Sequence, residues 1–279
     1  MQGDALVDGY ATNPAWLNER SCQFGDGLFE TIAIVDGEPC LWDAHMARLS
    51  EGCRRLRLPL PDFVRLREEC RKLCAGRSRG VLKLVWSAGS SERGYRRPAE
   101  LVPRRILQIS AWPEGHQRRP WVLRVCTHRL SENPVLAQIK HLNRLDQVIA
   151  GNEWQGSEVD EGLMLGQDGR VVCGTKSNLF IQKASRLRTS DVDTAGIAGV
   201  VRAIVLDAAA DGDRPVEVGR ISLDEVHAAD AVFLTNSLVG VVRVGRLEQT
   251  AYDMQVEEHP AMVGARRLCH LAEPASPSR

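Results

Sequence analysis

The stretch Ile139-Lys140-His141-Leu142-Asn143-Arg144-Leu145 decides how the rest of the chain is read. The chain carries 36 basic residues, yet only five are lysines: Lys72, Lys83, Lys140, Lys176 and Lys183. The others are arginines, which stay charged and cannot attack a carbonyl to form an imine. A lysine can, once burial or a neighbouring cation strips its proton. Lys72 lies in the charged helical stretch 65–71 and reads as solvated, while Lys176 and Lys183 flank turn-like segments. Lys83 and Lys140 sit in apolar runs, 81–86 and 135–142, and spacing alone favours neither. A lysine in such a run can also lay its stem on apolar surface and keep its amine in water.

Composition narrows the setting. A chain of 279 residues with 43% hydrophobic content can build one large domain or two modest ones. Acids and bases balance at 36 each, so no global charge argues for nucleic acid or a membrane surface as a partner. No apolar run approaches the length of a bilayer span, and Met1-Gln2-Gly3-Asp4 lacks the charged-then-apolar pattern of a secretory leader. Of the eight cysteines, Cys70 and Cys74 are one helical turn apart, but no second pair follows at zinc-site spacing, so no metal is expected. This usage fits a reducing, cytoplasmic location.

The patterning predicts an α+β chain. Residues 29–35 and 38–42 flank Asp36-Gly37, a strong hairpin signal. Asp43 is expected to cap a helix whose apolar positions are Met46, Leu49, Cys53 and Leu56, ended by Pro59 and Pro61. A second helix is expected over 63–74, closing at Gly76, followed by strands at 81–86 and 105–111. The polar, proline-containing stretch 113–120 reads as a linker between a small N-terminal domain, 1–112, and a larger one, 121–272. In the latter the expected elements are strands at 121–126, 161–165, 170–173, 178–182, 231–234 and 239–244, and helices at 142–154 and 200–210, the last stopping at Gly212. The Pro/Ser-rich tail 273–279 reads as disordered.

The segment Asn133-Pro134-x-Leu136-Ala137-x-Ile139-Lys140-His141-Leu142-Asn143-Arg144-Leu145-x-Gln147 resembles the lysine segment of the aminodeoxychorismate lyases. These belong to the fold-type IV pyridoxal-phosphate enzymes, with the D-amino acid and branched-chain aminotransferases. The likeness runs from about Phe24 to about Arg246 through several motifs in the same order. It implies a two-domain α+β fold with a barrel-like C-terminal domain, a homodimer with the site near its interface, and Lys140 as Schiff-base lysine and general base. The implied reaction converts 4-amino-4-deoxychorismate to 4-aminobenzoate and pyruvate, a step of folate biosynthesis.

The resemblance also assigns the cofactor's surroundings. The turn Thr194-Ala195-Gly196-Ile197-Ala198-Gly199-Val200-Val201 enters a helix, and free amides at a helix start suit an anion. By resemblance, Gly199, Val200 and Val201 belong to the phosphate turn, Ile197 packs on the ring, and Thr235-Asn236-Ser237 forms a second phosphate contact. His45-x-x-Arg48-Leu49 matches a motif whose arginine reaches the phosphate, and a guanidinium can fork onto phosphate oxygens. Thr175 and Asn178 join the cofactor shell in the same way. Cys173 departs from the family, which places a glutamate there to keep the ring nitrogen protonated. A thiol cannot substitute electrostatically, so Thr175, water or an unprotonated ring is implied. Elimination driven by aromatisation is expected to need less carbanion stabilisation than transamination.

On the substrate side, Phe24-Gly25-Asp26-Gly27-Leu28-Phe29-Glu30-Thr31 matches the family's first strand. Phe29 replaces the tyrosine that holds a carboxylate in D-amino acid aminotransferases, and Thr31 matches the lyase hydroxyl that could protonate the leaving enol. Ser90-Ser91-Glu92-Arg93-Gly94-Tyr95 resembles the lyase loop in which the arginine meets a substrate carboxylate across a dimer interface, with Tyr95 beside it. Two other readings stay open: a D-amino acid or branched-chain aminotransferase, and a pyridoxal-phosphate-binding protein without turnover.

Overall fold

The computed structural model describes residues 6–8, 10–11, 15–113, 119–210 and 214–269. Strands β1 (Leu6–Val7) and β2 (Tyr10–Ala11) pair ahead of helix α1 (Arg20–Phe24). Next, β3 (Gly27–Val35) turns into β4 (Glu38–Pro39), with Val35 opposite Glu38. Asp36 and Gly37 both take positive φ, 48° and 79°, the backbone that a two-residue hairpin needs and that Asp-Gly supplies. Helix α2 (Trp42–Leu56) follows, then α3 (Phe63–Cys74), β5 (Arg79–Ser87) and β6 (Arg104–Ser110). The sheet order is β4-β3-β5-β6, all antiparallel. Met46, Leu49 and Cys53 of α2 and Leu66, Cys70 and Cys74 of α3 bury with Ile32, Leu82 and Leu84 of the sheet. The Cys70–Cys74 pair is therefore core packing.

Two expected helix starts are displaced. Asp43 lies inside the first turn of α2, and Leu41 holds the N-cap position in a left-handed conformation without a side-chain cap. Asp43 there still faces the positive end of the helix dipole. The helix expected over 142–154 is α4 (Leu145–Gly151). It starts late because residues 140–142 are extended and bonded to β3: Phe29 N–H donates to Lys140 O (2.9 Å) and Leu142 N–H to Gly27 O (3.0 Å).

The second sheet contains β7 (Trp121–Arg129), β8 (Glu161–Leu165), β9 (Val171–Gly174), β10 (Asn178–Lys183), β11 (Arg186–Ser190), β12 (Val216–Gly219), β13 (Ala231–Asn236), β14 (Gly240–Leu247) and β15 (Thr250–Ala251). Their order is β12-β11-β10-β13-β14-β7-β8-β9, with β15 on β14. The sheet curls: Ser190 Oγ of β11 donates to Val171 O of β9 at 2.7 Å. Trp121, Leu163, Leu179, Val232, Leu234 and Val244 fill one side. Helices α5 (Val200–Ala210) and α7 (Pro260–Leu268) cover the other, where Val201, Val205, Met262 and Ala265 meet Phe180 and Phe233. Between β12 and β13, α6 (Leu223–His227) is closed by a reciprocal Ser222–Glu225 capping box. The middle of the expected linker (114–118), Gly212 and the tail from 273 lie outside the described residues.

Candidate active site

A cavity of about 330 Å³ opens between the two sheets, and the lysine segment forms its spine. β4 pairs only with the far end of β3, so the near half of that strand's edge is open to residues 140–142. On the other side of the segment, Gln138 N–H donates to Gly196 O and Ala198 N–H donates to Gln138 O, both at 2.9 Å. To do so Gln138 takes a left-handed φ of 71°, a conformation uncommon outside glycine. One extended segment is thus bonded to the N-terminal sheet and to the glycine turn before α5, with Lys140 between them.

This placement sets the two candidate lysines apart. Lys83 is exposed on the face of β5 beside Thr31. Lys140 lines the cavity, its Nζ 4.3 Å from the centre of the Phe29 ring. Burial first, then the positive charge of Arg48, pushes the Lys140 pKa down to about 7, with Glu30 opposing. An amine with that pKa is substantially unprotonated near neutrality, as nucleophilic or basic lysines require.

Arg48 is held by Glu30, Nε to Oε1 at 2.9 Å and an Nη to Oε2 at 2.5 Å, and donates to Ala198 O at 3.2 Å. His45 Nδ1 lies 2.6 Å from Glu30 Oε2. Burial would raise the Glu30 carboxyl, but Arg48 and His45 outweigh it and hold the pKa at about 2. A bidentate pair of this kind fixes the guanidinium plane. Neither His45 nor Glu30 lines the cavity; both set the position of Arg48, which does.

The turn before α5 is pinned by Asn178, whose Nδ2 donates to Ile197 O at 2.8 Å. A Cβ on Gly199 would stand 2.1 Å from Asn178 Oδ1, so only glycine fits. Ile197, Gly199 and Val200 line the cavity, while the Val201 side chain is in the core and only its first-turn amide is available. The first amides of an α-helix lack intrahelical acceptors, and α5 presents them here. At the second corner, Asn236 Oδ1 accepts from Leu238 N–H and Val239 N–H, and Ser237 Oγ donates to Thr31 O at 2.6 Å. Thr235 Oγ1 is buried without a partner, and its residue lines the cavity. The corner's side chains thus mostly build the turn, and Thr235 is the hydroxyl left for a ligand.

Opposite, Cys173 and Thr175 line the cavity. Burial, with Glu161 behind it, pushes the Cys173 thiol up to about 12, so it stays neutral. Thr175 Oγ1 donates to Glu161 Oε1 at 2.5 Å, and Lys176 N–H donates to the same oxygen at 2.9 Å. Burial raises the Glu161 carboxyl above its ordinary value despite Lys176. Sequence reading missed Glu161, because its approach to Thr175 depends on β8 pairing with β9. It also missed Arg144, Gln147 and Lys176, which line the cavity, although Arg144 and Gln147 stand in the quoted lysine segment.

Phe29 and Thr31 line the cavity, but Arg93 and Tyr95 do not. Their loop is exposed and clamped from below. Arg20 donates to Ser91 Oγ (2.8 Å), Gly94 O (3.2 Å) and Tyr95 O (2.8 Å). The Tyr95 ring lies 5.3 Å from that of Phe24.

The lysine on its extended segment, the glycine turn running into α5 and the two packed sheets define an aminotransferase-like class. The family model for class IV aminotransferases matches residues 27–247, and the chain belongs to that family. It is 32% identical to an aminodeoxychorismate lyase of Vibrio harveyi over 241 residues, 85% of this chain and 89% of that one. A crystal structure of 4-amino-4-deoxychorismate lyase from Pseudomonas aeruginosa superposes with a TM-score of 0.83 at 41% identity, covering 93% of this chain and 96% of the other. A D-alanine aminotransferase of Bacillus licheniformis is 27% identical over 83% of this chain and 82% of its own. Class IV enzymes use pyridoxal phosphate. The residues present fit it: a desolvated amine, an unpartnered Thr235 hydroxyl, a helix start and an oriented Arg48 face one cavity.

Proposed function

We propose that this protein is a pyridoxal-phosphate-dependent lyase that converts 4-amino-4-deoxychorismate to 4-aminobenzoate and pyruvate. The observation that carries the reading is the cavity's charge: Arg48, Lys140, Arg144 and Lys176 line it, and among the described residues no carboxylate does. That suits a phosphorylated cofactor together with a dicarboxylate substrate. The relatives named aminodeoxychorismate lyase support the choice of substrate, and Phe29, with no hydroxyl to offer a carboxylate, speaks against the D-amino acid aminotransferases.

The α5 amides, Thr235 and Arg48 would hold the phosphate, and Ile197 would pack against the ring. Bound pyridoxal phosphate supplies an electron sink conjugated to the substrate's amino group. Lys140 Nζ, unprotonated at a pKa of about 7, takes the proton from the amine-bearing carbon. The Thr31 hydroxyl delivers a proton to the departing pyruvate enol. Loss of pyruvate leaves an aromatic ring, which supplies driving force that the protein need not provide.

The loop bearing Arg93 does not line the cavity of its own chain, and α4 exposes Leu145, Val148 and Ile149, with Val135 exposed as well. Both features support a homodimer in which the loop of one copy serves the cavity of the other. The sheets of residues 27–110 and 121–251 support a small domain at 1–112 and a larger one at 121–272. Among the described residues no helix is long and apolar enough to cross a membrane, and the eight cysteines are unbridged. These support a cytoplasmic enzyme.

Product analysis tests the proposal. The purified protein given aminodeoxychorismate is expected to release pyruvate and 4-aminobenzoate, with none from Lys140→Ala. Amine exchange with a keto acid instead would make it an aminotransferase. A visible cofactor band without turnover of either kind would make it a silent binder.

A further inference from the structure

Among the described residues, Arg144 is the cavity arginine with which no carboxylate pairs. Arg48 has Glu30, and Lys176 lies near Glu161 and donates to Asp160 O. Among the described residues no carboxylate pairs with Arg144, and its Nε is buried without a partner. Asp146 favours the guanidinium's charge from nearby but is engaged by His128 Nε2 at 2.8 Å and Ser131 N–H at 3.0 Å. The wall beside Arg144 offers Cys173, a neutral thiol. Burial holds even this guanidinium down, at about 10.

The side chain is nevertheless oriented. One Arg144 Nη donates to His141 Nε2. A guanidinium has no acceptor, so His141 must accept through Nε2 and carry its proton on Nδ1. Burial and Arg144 push the His141 pKa down to about 4, which keeps the imidazole neutral and able to accept. Arg144 also borders a second cavity behind the lysine segment, which it shares with Gln147 and Gly196. A partly buried, aimed guanidinium with no carboxylate beside it is unfavourable, and a ligand that brings an oxyanion removes that cost.

We infer that Arg144, oriented by neutral His141, is an oxyanion-binding residue of this cavity. The oxyanion is either the phenolate of the cofactor ring or a carboxylate of the substrate. Chemistry gives both a reason to be there. In pyridoxal phosphate the ring carbons that carry the phenolate and the phosphate arm flank the ring carbon that carries the aldehyde, so with the phosphate held at one end the phenolate would lie on the opposite side of the aldehyde. A dicarboxylate substrate also needs cations beyond those holding the phosphate. The inference rests on the reading of this cavity as a pyridoxal-phosphate site.

The test uses the full chain with Arg144→Met and Arg144→Lys, titrated with pyridoxal phosphate and then with isophthalate, a dicarboxylate that cannot react. If the phenolate is the partner, the Met variant binds the cofactor at least tenfold more weakly and the Lys variant recovers part of the loss. If a substrate carboxylate is the partner, cofactor affinity is unchanged and isophthalate binds at least tenfold more weakly, again with partial recovery by lysine. The cofactor-free Met variant is expected to melt no lower than the native protein, because an unpaired charge has gone. Both dissociation constants within twofold of native, or a lower melting temperature for the cofactor-free Met variant, would overturn the inference. A native protein that gives no visible band with pyridoxal phosphate sinks the cofactor reading instead, whatever Arg144 does.

Discussion

Replacing Lys140 by methionine in the cofactor-free protein should stabilise it, and the gain should depend on pH. The ammonium's pKa falls from 10.5 to about 7 on folding. A group with a depressed cationic pKa is charged in the unfolded chain but resists charge in the folded one. Below pH 7 the folded protein must therefore bury a cation. Through the window from 7 to 10.5 the unfolded chain binds the extra proton, so stability rises with pH and the penalty fades. At about 1.4 kcal/mol per pH unit, the penalty is about 5 kcal/mol near pH 6 and about 1 kcal/mol near pH 9.5. Methionine keeps most of the stem and removes the charge. Urea unfolding of both cofactor-free proteins at several pH values measures the difference directly, and titrating groups that do not interact with Lys140 cancel between them. A stability difference that stays flat from pH 6 to 9.5 would falsify the claim that this amine is desolvated.

Further outcomes are expected at other positions. Glu30→Gln leaves the Arg48 guanidinium without its carboxylate; unfolding should show a loss of about 3–5 kcal/mol, with cofactor affinity falling at least tenfold. Thr235→Val removes a buried hydroxyl that has no partner in the protein. Cofactor titration should show a loss of about 0.5–1.5 kcal/mol in binding, while the cofactor-free protein melts no lower; unchanged affinity would count against a phosphate role for this hydroxyl. Cys173→Glu introduces a carboxylate between Glu161 and Arg144, and the ratio of lyase to transaminase turnover should shift. Identical rates for both reactions would refute the idea that the missing carboxylate tunes this enzyme toward elimination.

What the sequence made legible was what local chemistry dictates. Helix α3 matches its expected span, 63–74, because Asp62 caps one end, accepting from Val64 N–H and Arg65 N–H, and Gly76 follows the other. The hairpin at Asp36-Gly37 and helix α5 at 200–210 were legible for the same reason. Helix α4 was misjudged at its start because residues 140–142 are claimed by the edge of β3, more than a hundred residues away in sequence. The same distance hid the choice between Lys83 and Lys140: both runs are apolar, and only the packing of the two sheets shows which amine loses its water. Glu161 and Arg144 lie deeper still, since a carboxylate under Thr175 and a cation with no carboxylate partner among the described residues are properties of pairings. Cys173 is the converse case. Its departure from the family stood out in the sequence, while its surroundings required the fold.

The hydrogen bonds that tie residues 138–142 to β3 on one flank and to the glycine turn on the other have a consequence for how this scaffold can change. Amine and phosphate seat are measured off a single ruler, so inserting or deleting one residue between Gln138 and Leu142 would displace both together and cost the cofactor. The loop at 90–97 is held instead by Arg20, by Arg97 on Asp26 and by the Tyr95–Phe24 ring contact, none of which belongs to that ruler. New substrates can be sought by redrawing the loop, with the tethered lysine left untouched.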